Sequence, residues 1–210
     1  MMHRLLMVFV LLLGSGFKET LADESAGQRV DSRFGVSLYL PESWRLLTRD
    51  ELSAVDDADA EKKLDLPPAM RERLSERVRG GGLELIFNTR DTASGFFNNI
   101  TLFETRDQVP EAAAQIKSTC GALPGLLSHT LGRSVLLDEC RGLEVGGYPA
   151  FVLAYAGNTE QTRIVQYMLQ LEQSRSLVLT LTYHQENPKI LADFELLVQR
   201  LHLLEMESPQ

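Results

Sequence analysis

The chain has 210 residues, 44% of them apolar, which fits one domain, or one domain and a tail, around a single sizeable core. It carries 21 basic and 29 acidic residues, a net charge of −8, and no basic face stands out along it. A phosphate backbone is repelled on average, so nucleic acid is not an expected partner.

The N-terminus has its own grammar. His3 and Arg4 precede nine apolar residues, Leu5 to Leu13, closed by Gly14, Ser15 and Gly16. A membrane-spanning helix needs about 20 such residues, whereas this length suits the core of a signal peptide. Thr20 and Ala22 form a small-residue cleavage site before Asp23, with Ala26 a second candidate; the competing reading is an uncleaved anchor. Residues 1–22 are therefore read as a signal peptide, and their removal leaves 19 basic and 28 acidic groups. Leu12-Leu13-Gly14-Ser15 nearly has the shape of a bacterial lipoprotein signal, whose last position must be cysteine. Serine has no thiol to accept the lipid. The expectation is a soluble periplasmic or secreted protein with no stable membrane insertion after cleavage. Residues 23–33 read as a flexible lead, 34–205 as one domain and 206–210 as a tail.

Phe34 to Leu40 alternates, with Phe34, Val36, Leu38 and Leu40 on one face, which predicts a strand. Pro41-Glu42-Ser43 makes a turn, and Trp44 opens a short second strand through Leu47, where the lone tryptophan is more simply a core plug than a ligand-stacking ring. Asp50 to Arg79 is acidic in front and basic behind. Its Met70, Leu74 and Val78 predict an amphipathic helix that Gly80-Gly81-Gly82 stops. Leu83 to Phe87 and Phe97 to Glu104 predict a strand pair. The aromatic pair Phe96 and Phe97, beside Asn98 and Asn99, is the candidate partner-binding edge, with Phe97 assigned to the core and Phe96 to the contact. Asn99-Ile100-Thr101 is a glycosylation sequon whose place in a strand makes it incidental.

Pro110 suits the first position of a helix, along which Ala112, Ile116 and Cys120 stand at spacing four. Gly121, Pro124 and Gly125 are expected to break it, with Leu126 to Leu131 another turn. Cys120 should then face the sheet. An even cysteine count in an exported chain makes a bridge between Cys120 and Cys140 the default, closing a loop of about 20 residues; two small buried thiols are the alternative. There is no Cys-x-x-Cys to suggest redox catalysis.

Arg133 to Gln185 reads as four consecutive strands on which the rest packs. Leu177, Leu179, Leu181 and Tyr183 alternate with polar residues, as do Val165, Tyr167, Leu169 and Leu171. Phe151, Leu153 and Tyr155 alternate instead with Val152, Ala154 and Ala156, so that strand should be central and covered on both faces. Gly146-Gly147 marks a hairpin. Asn187 and Pro188 then cap a last helix whose stripe runs Ile190, Leu191, Phe194, Leu197, Val198, Leu201 and Leu204.

Motifs for chemistry are missing. His129, His184 and His202 have no second ligand at metal-binding spacing, and there is no His-Glu-x-x-His, Gly-x-Ser-x-Gly, phosphate loop or dinucleotide fingerprint. The cluster Asp56, Asp57, Asp59 and Glu61 fails as a calcium loop, because Lys62 stands where the turn needs glycine and Pro68 where a bidentate glutamate belongs. No catalytic residue, cofactor or metal site is assigned.

The opening FGVSLYLPESW, the block LEVGGYPAFVLAYAG, the strand RIVQYMLQLE and LVLTLTYHQENP before a terminal helix resemble, in that order, the Mog/PsbP/DcrB-like superfamily. The resemblance covers Phe34 to Leu204. It implies an α+β fold with a central antiparallel sheet flanked by helices on both faces, an α/β/α sandwich. Members are mostly not enzymes: photosystem accessory subunits, Ran-binding import factors, envelope proteins and toxin chaperones. Ser15 departs from the lipidated envelope members, the export signal departs from the cytosolic chaperones, and the insert Asp50 to Arg79 is larger than usual. The function expected is a soluble, exported, non-catalytic binding or accessory protein of the bacterial cell envelope that acts on another protein. The alternative is a periplasmic binder of a small molecule or metal ion.

Overall fold

A computed structural model of the chain describes residues 27–47, 82–90, 98–157 and 161–204. The expected signal peptide, the helix expected at Met70 to Val78, and Phe96 and Phe97 lie outside these residues. The elements in chain order are β1 (Gly27–Asp31), β2 (Val36–Pro41), β3 (Trp44–Leu47), β4 (Glu84–Asn88), β5 (Asn99–Thr105), α1 (Ala113–Leu131), β6 (Leu137–Val145), β7 (Tyr148–Ala156), β8 (Thr162–Glu172), β9 (Arg175–His184), α2 (Pro188–Gln199) and β10 (His202–Leu203).

The four strands expected between Arg133 and Gln185 are β6 to β9. They form most of a seven-stranded antiparallel sheet in the order β3-β4-β5-β9-β8-β7-β6. Gly146 and Gly147, at φ 58° and 86°, make the tight turn between β6 and β7. The doubly apolar strand is β7. It is covered on both faces as its sequence requires, but it lies next to the sheet edge, not at its centre. On one face Phe151, Leu153 and Tyr155 pack with Val109 and Val135 under α1, through Ile116, Cys120, Leu123 and Leu127. On the other, Val152 and Ala154 join Val165, Leu169, Leu179 and Leu181 in the main core, which α2 closes with Ile190, Phe194, Leu197 and Val198. The reason β7 is apolar twice over is thus a different layer on each side, and this needs no central position.

Part of the second layer is a strand arrangement that the alternation did not reveal. β1, β2 and β10 make a separate three-stranded antiparallel sheet whose inner residues Val36, Leu38 and Leu40 enter the main core. Gly27–Asp31 is therefore paired strand and not part of a flexible lead; GQRVD offers only Val30 as an apolar mark, so it carried no period. The last helix stops at Gln199. The chain turns at Arg200, Leu201 stays buried, and the Leu204 N–H donates to the Gly35 carbonyl at 2.9 Å. The stripe is buried at Ile190, Phe194, Leu197, Val198 and Leu201 and half-buried at Leu191 and Leu204, and the helix is about a turn shorter than its spacing predicts.

Two further expectations are corrected in α1. It begins at Ala113, three residues beyond the start that Pro110 suggested, with the Gln115 side chain accepting from the Ala112 N–H at 3.3 Å. It also runs unbroken through Gly121, Pro124 and Gly125. Proline there forfeits one main-chain hydrogen bond and crowds the preceding turn. The turns on either side are held by other means: Cys120 is bonded to β6, and the Ser128 hydroxyl donates to the Pro124 carbonyl at 2.6 Å while accepting from the Val135 N–H at 2.9 Å. Gly132, at φ 65°, supplies the left-handed cap that ends the helix.

Trp44 is a core plug, fully buried, with its indole N–H directed to Asp193 of α2 at 3.4 Å. A polar tie joins the small sheet to the large one. The buried Glu84 carboxylate accepts from the Ser32 hydroxyl at 2.6 Å and the Arg33 N–H at 2.9 Å, with the Arg33 guanidinium 3.5 Å away. Glu84→Ala leaves those buried donors without an acceptor and is expected to cost about 2 kcal/mol in urea unfolding. A loss under about 0.5 kcal/mol would show that water replaces the carboxylate.

Candidate functional site: a basic face on the small sheet

The outer face of the three-stranded sheet gathers residues far apart in sequence. Strand alternation turns Val36, Leu38 and Leu40 inward, so Ser37 and Tyr39 point outward. The β1 register sets Arg29 opposite Tyr39 and Asp31 opposite Ser37; the β10 register sets His202 opposite Ser37. The turn after α2 adds Arg200, whose guanidinium lies over the Tyr39 ring, 5.7 Å from its centroid. Arg29, Ser37, Tyr39, Arg200 and His202 line an open cavity of about 500 Å³, with Asp31 beside Arg29.

Its electrostatics are lopsided. Arg29 donates through Nε to the buried Ser37 hydroxyl at 2.6 Å and lies 3.4 Å from Asp31, and this pair is more than half exposed. Arg200 has no ion pair among the described residues. Two guanidiniums and an imidazole therefore meet one carboxylate, on a chain whose net charge is −8. Guanidinium forks over an aromatic ring are suited to carboxylates and other oxyanions. No sequence signal marks this face, because residues 29, 37 to 39 and 200 to 202 come together only through a strand hidden in the lead and a strand two residues long.

A second cavity, of about 330 Å³, lies between β6 and α2, where Arg141, Tyr167, Glu195 and Gln199 meet. Burial raises the Tyr167 phenol above its ordinary 10.0, and the nearby Glu195 and Glu139 carboxylates push the same way against Arg141. Its mixed charges favour no one ligand class.

The residues singled out in the sequence are distributed otherwise. Cys120 and Cys140 are bonded to each other, with Cα atoms 5.8 Å apart, and join α1 to β6. Asn98 and Asn99 are buried: the Asn98 side chain accepts from the His184 N–H at 2.8 Å and its carbonyl from the Asn88 N–H at 2.9 Å. They hold β4, β5 and β9 together and offer little surface to a partner, and the sequon asparagine is equally enclosed. His129 and His184 lie away from the basic face, His184 beside Gln161 at 3.1 Å. Among the described residues no cluster of three His, Cys, Asp or Glu side chains could hold a metal ion, and no helix is long and apolar enough to cross a membrane.

No protein-family model matches the chain, and no curated protein does so by sequence. Solved structures do match. The cyanobacterial PsbP (CyanoP) of Synechocystis superposes with a TM-score of 0.52 at 10% identity, over 87% of this chain and 95% of that one. The Ran-binding protein Mog1p of Saccharomyces cerevisiae aligns with a TM-score of 0.49 at 9% identity, over 86% and 96%. LpqN, involved in cell envelope biogenesis of Mycobacterium tuberculosis, aligns at 0.47 and 15%, over 88% and 87%. The superposition on CyanoP bears out the PsbP-like resemblance at the level of fold.

Proposed function

We propose that this chain is a soluble, exported, non-catalytic binding or accessory protein of the bacterial cell envelope, acting by protein–protein contact through the outer face of the small sheet. The observation that carries this reading is the meeting of Arg29, Arg200 and His202 around Tyr39, in an open cavity on an otherwise acidic chain. A partner segment rich in carboxylates fits it: bidentate pairing gives orientation, and the ring gives apolar contact. The signal-like N-terminus and the disulfide support export, since such bonds persist in oxidising compartments. The alternative, a periplasmic small-ligand binder, draws support from a cavity volume within the range of small-molecule sites. An anionic ligand fits this lining and a metal cation does not.

The test is cross-linking of the exported protein in its own envelope, with identification of what co-purifies. Arg29→Glu combined with Arg200→Glu is expected to abolish capture while leaving the protein folded, at a cost of about 1–2 kcal/mol from the lost Arg29–Ser37 hydrogen bond. Capture unchanged by the pair would reject this face. A parallel Phe96→Ala arm tests the contact read from the sequence. Absence of any protein partner, together with a melting temperature raised by small carboxylates or phosphates, would move the reading to the small-ligand alternative.

A further inference from the structure

β6 ends the seven-stranded sheet, and over its nine residues it pairs only with β7. Among the described residues no main-chain hydrogen bond reaches its other side. A free edge of this length is a template for another strand. The opposite edge, β3, has four residues.

The helix lying over this edge is also incompletely covered. α1 has 19 residues, none of them fully buried, and Lys117 is its single Lys, Arg, Asp or Glu, in a chain where 24% of residues carry charge. Its side away from the sheet carries the small residues Ala114, Ser118, Gly121, Ala122 and Gly125. Leu126 on α1 is 62% exposed and Leu136, just before β6, is 78% exposed. The next most exposed large apolar residue among those described, Leu196, is 37% exposed. Large apolar side chains gathered beside an unpaired strand mark a surface that is covered in use.

The charges on β6 identify what covers it. Glu139 and Arg141 point to the same face and are bonded within the strand at 2.6 Å. In an antiparallel pair of two β6 strands with a two-fold axis at Cys140, Glu139 of each copy stands opposite Arg141 of the other. Moving the axis by one residue either way sets Glu139 against itself or Arg141 against itself. A single register is therefore favoured by charge, and the arrangement is self-complementary as a two-fold interface requires. An axis perpendicular to the sheet also keeps both α1 helices on one side of the joined sheet.

We propose that β6 pairs with β6 of a second copy of this chain about an axis at Cys140, joining the two large sheets into one with both α1 helices on the same side. The interface is separate from the basic face and leaves it open.

The experiment is sedimentation analysis of the protein, expressed with its own leader and purified after export, across the micromolar range. The expected mass is twice that of one chain. Arg141→Glu alone, or Glu139→Arg alone, should give the mass of one chain with an unchanged circular dichroism spectrum, and the double exchange E139R/R141E should restore the dimer. Leu126→Glu, at an exposed position that the single chain tolerates, should weaken the dimer about tenfold or more. The paired substitution of Arg29 and Arg200 should not alter it. A single-chain mass at all concentrations, a dimer indifferent to both charge exchanges, or a monomer that instead sediments with anionic vesicles would each overturn the proposal.

Discussion

Phe194→Ala is expected to destabilise the fold by about 3–5 kcal/mol, the usual range for removing a fully enclosed aromatic ring. Phe194 is completely buried at the centre of α2 and meets the Tyr167 ring edge-on, with centroids 5.7 Å apart and planes at 70°. It stands where the two sheets and the helix converge, so neighbouring groups cannot all move in to fill the space. The consequence reaches the basic face. Arg200 and His202 directly follow α2, and β10 holds its place on β2 only through two residues. Urea unfolding should show a lower midpoint with an unchanged slope, while Leu196→Ala, at a partly exposed site on the same helix, should shift stability by no more than about 0.5 kcal/mol. In the cross-linking assay, Phe194→Ala should lose partner capture at temperatures where the protein remains folded. A loss below about 1 kcal/mol would mean that the core collapses onto the missing ring, and α2 would not be the element that positions Arg200.

The large sheet was legible because each strand has a buried face that writes itself as alternation. Leu177 to Tyr183 and Val165 to Leu171 put every second residue into one core. β7 revealed a second layer through the apolar residues on its other face. What alternation cannot report is lateral order, since position within a sheet depends on pairing between distant strands; hence β7 read as central and lies next to the edge. The small sheet was half legible. β2 points three residues into the core, but β1 lies at an edge with Arg29 and Asp31 exposed, and a two-residue strand has no period at all. The basic face fell in the same gap, because its residues belong to those two strands and to a helix end. In α1 the local signals of Gly121, Pro124 and Gly125 were overridden by the Ser128 side chain, which bonds within the helix and to the following turn, and by a covalent bond to β6 that exists only once the sheet is in place.

Replacing both Cys120 and Cys140 by serine is expected to cost about 3 kcal/mol, the chain-entropy effect of opening a loop of this length. The loss should not be spread evenly. α1 buries no residue completely, contains a proline at its centre, and rests on β6 and β7 through half-buried side chains such as Ile116, Leu123 and Leu127. Ile116 lies so near Gly142 that a Cβ there would meet its Cδ1, so close packing on β6 depends on the absence of a side chain. The two ends of the connection are better secured, by Val135 on Ser128 after the helix and by the Gln170 side chain accepting from the Val109 N–H at 2.8 Å before it. Between these ties the covalent bond is what holds the middle of the helix down. Native-state hydrogen exchange in the double serine variant should therefore quicken across residues 113–131, while the central strands β8 and β9 keep their protection. The self-association proposed for β6 should weaken with it, since the helix that flanks the edge would no longer be held in place. If exchange in α1 is unchanged and the stability loss is under about 1 kcal/mol, side-chain packing alone seats the helix, and the bond acts only on the unfolded chain.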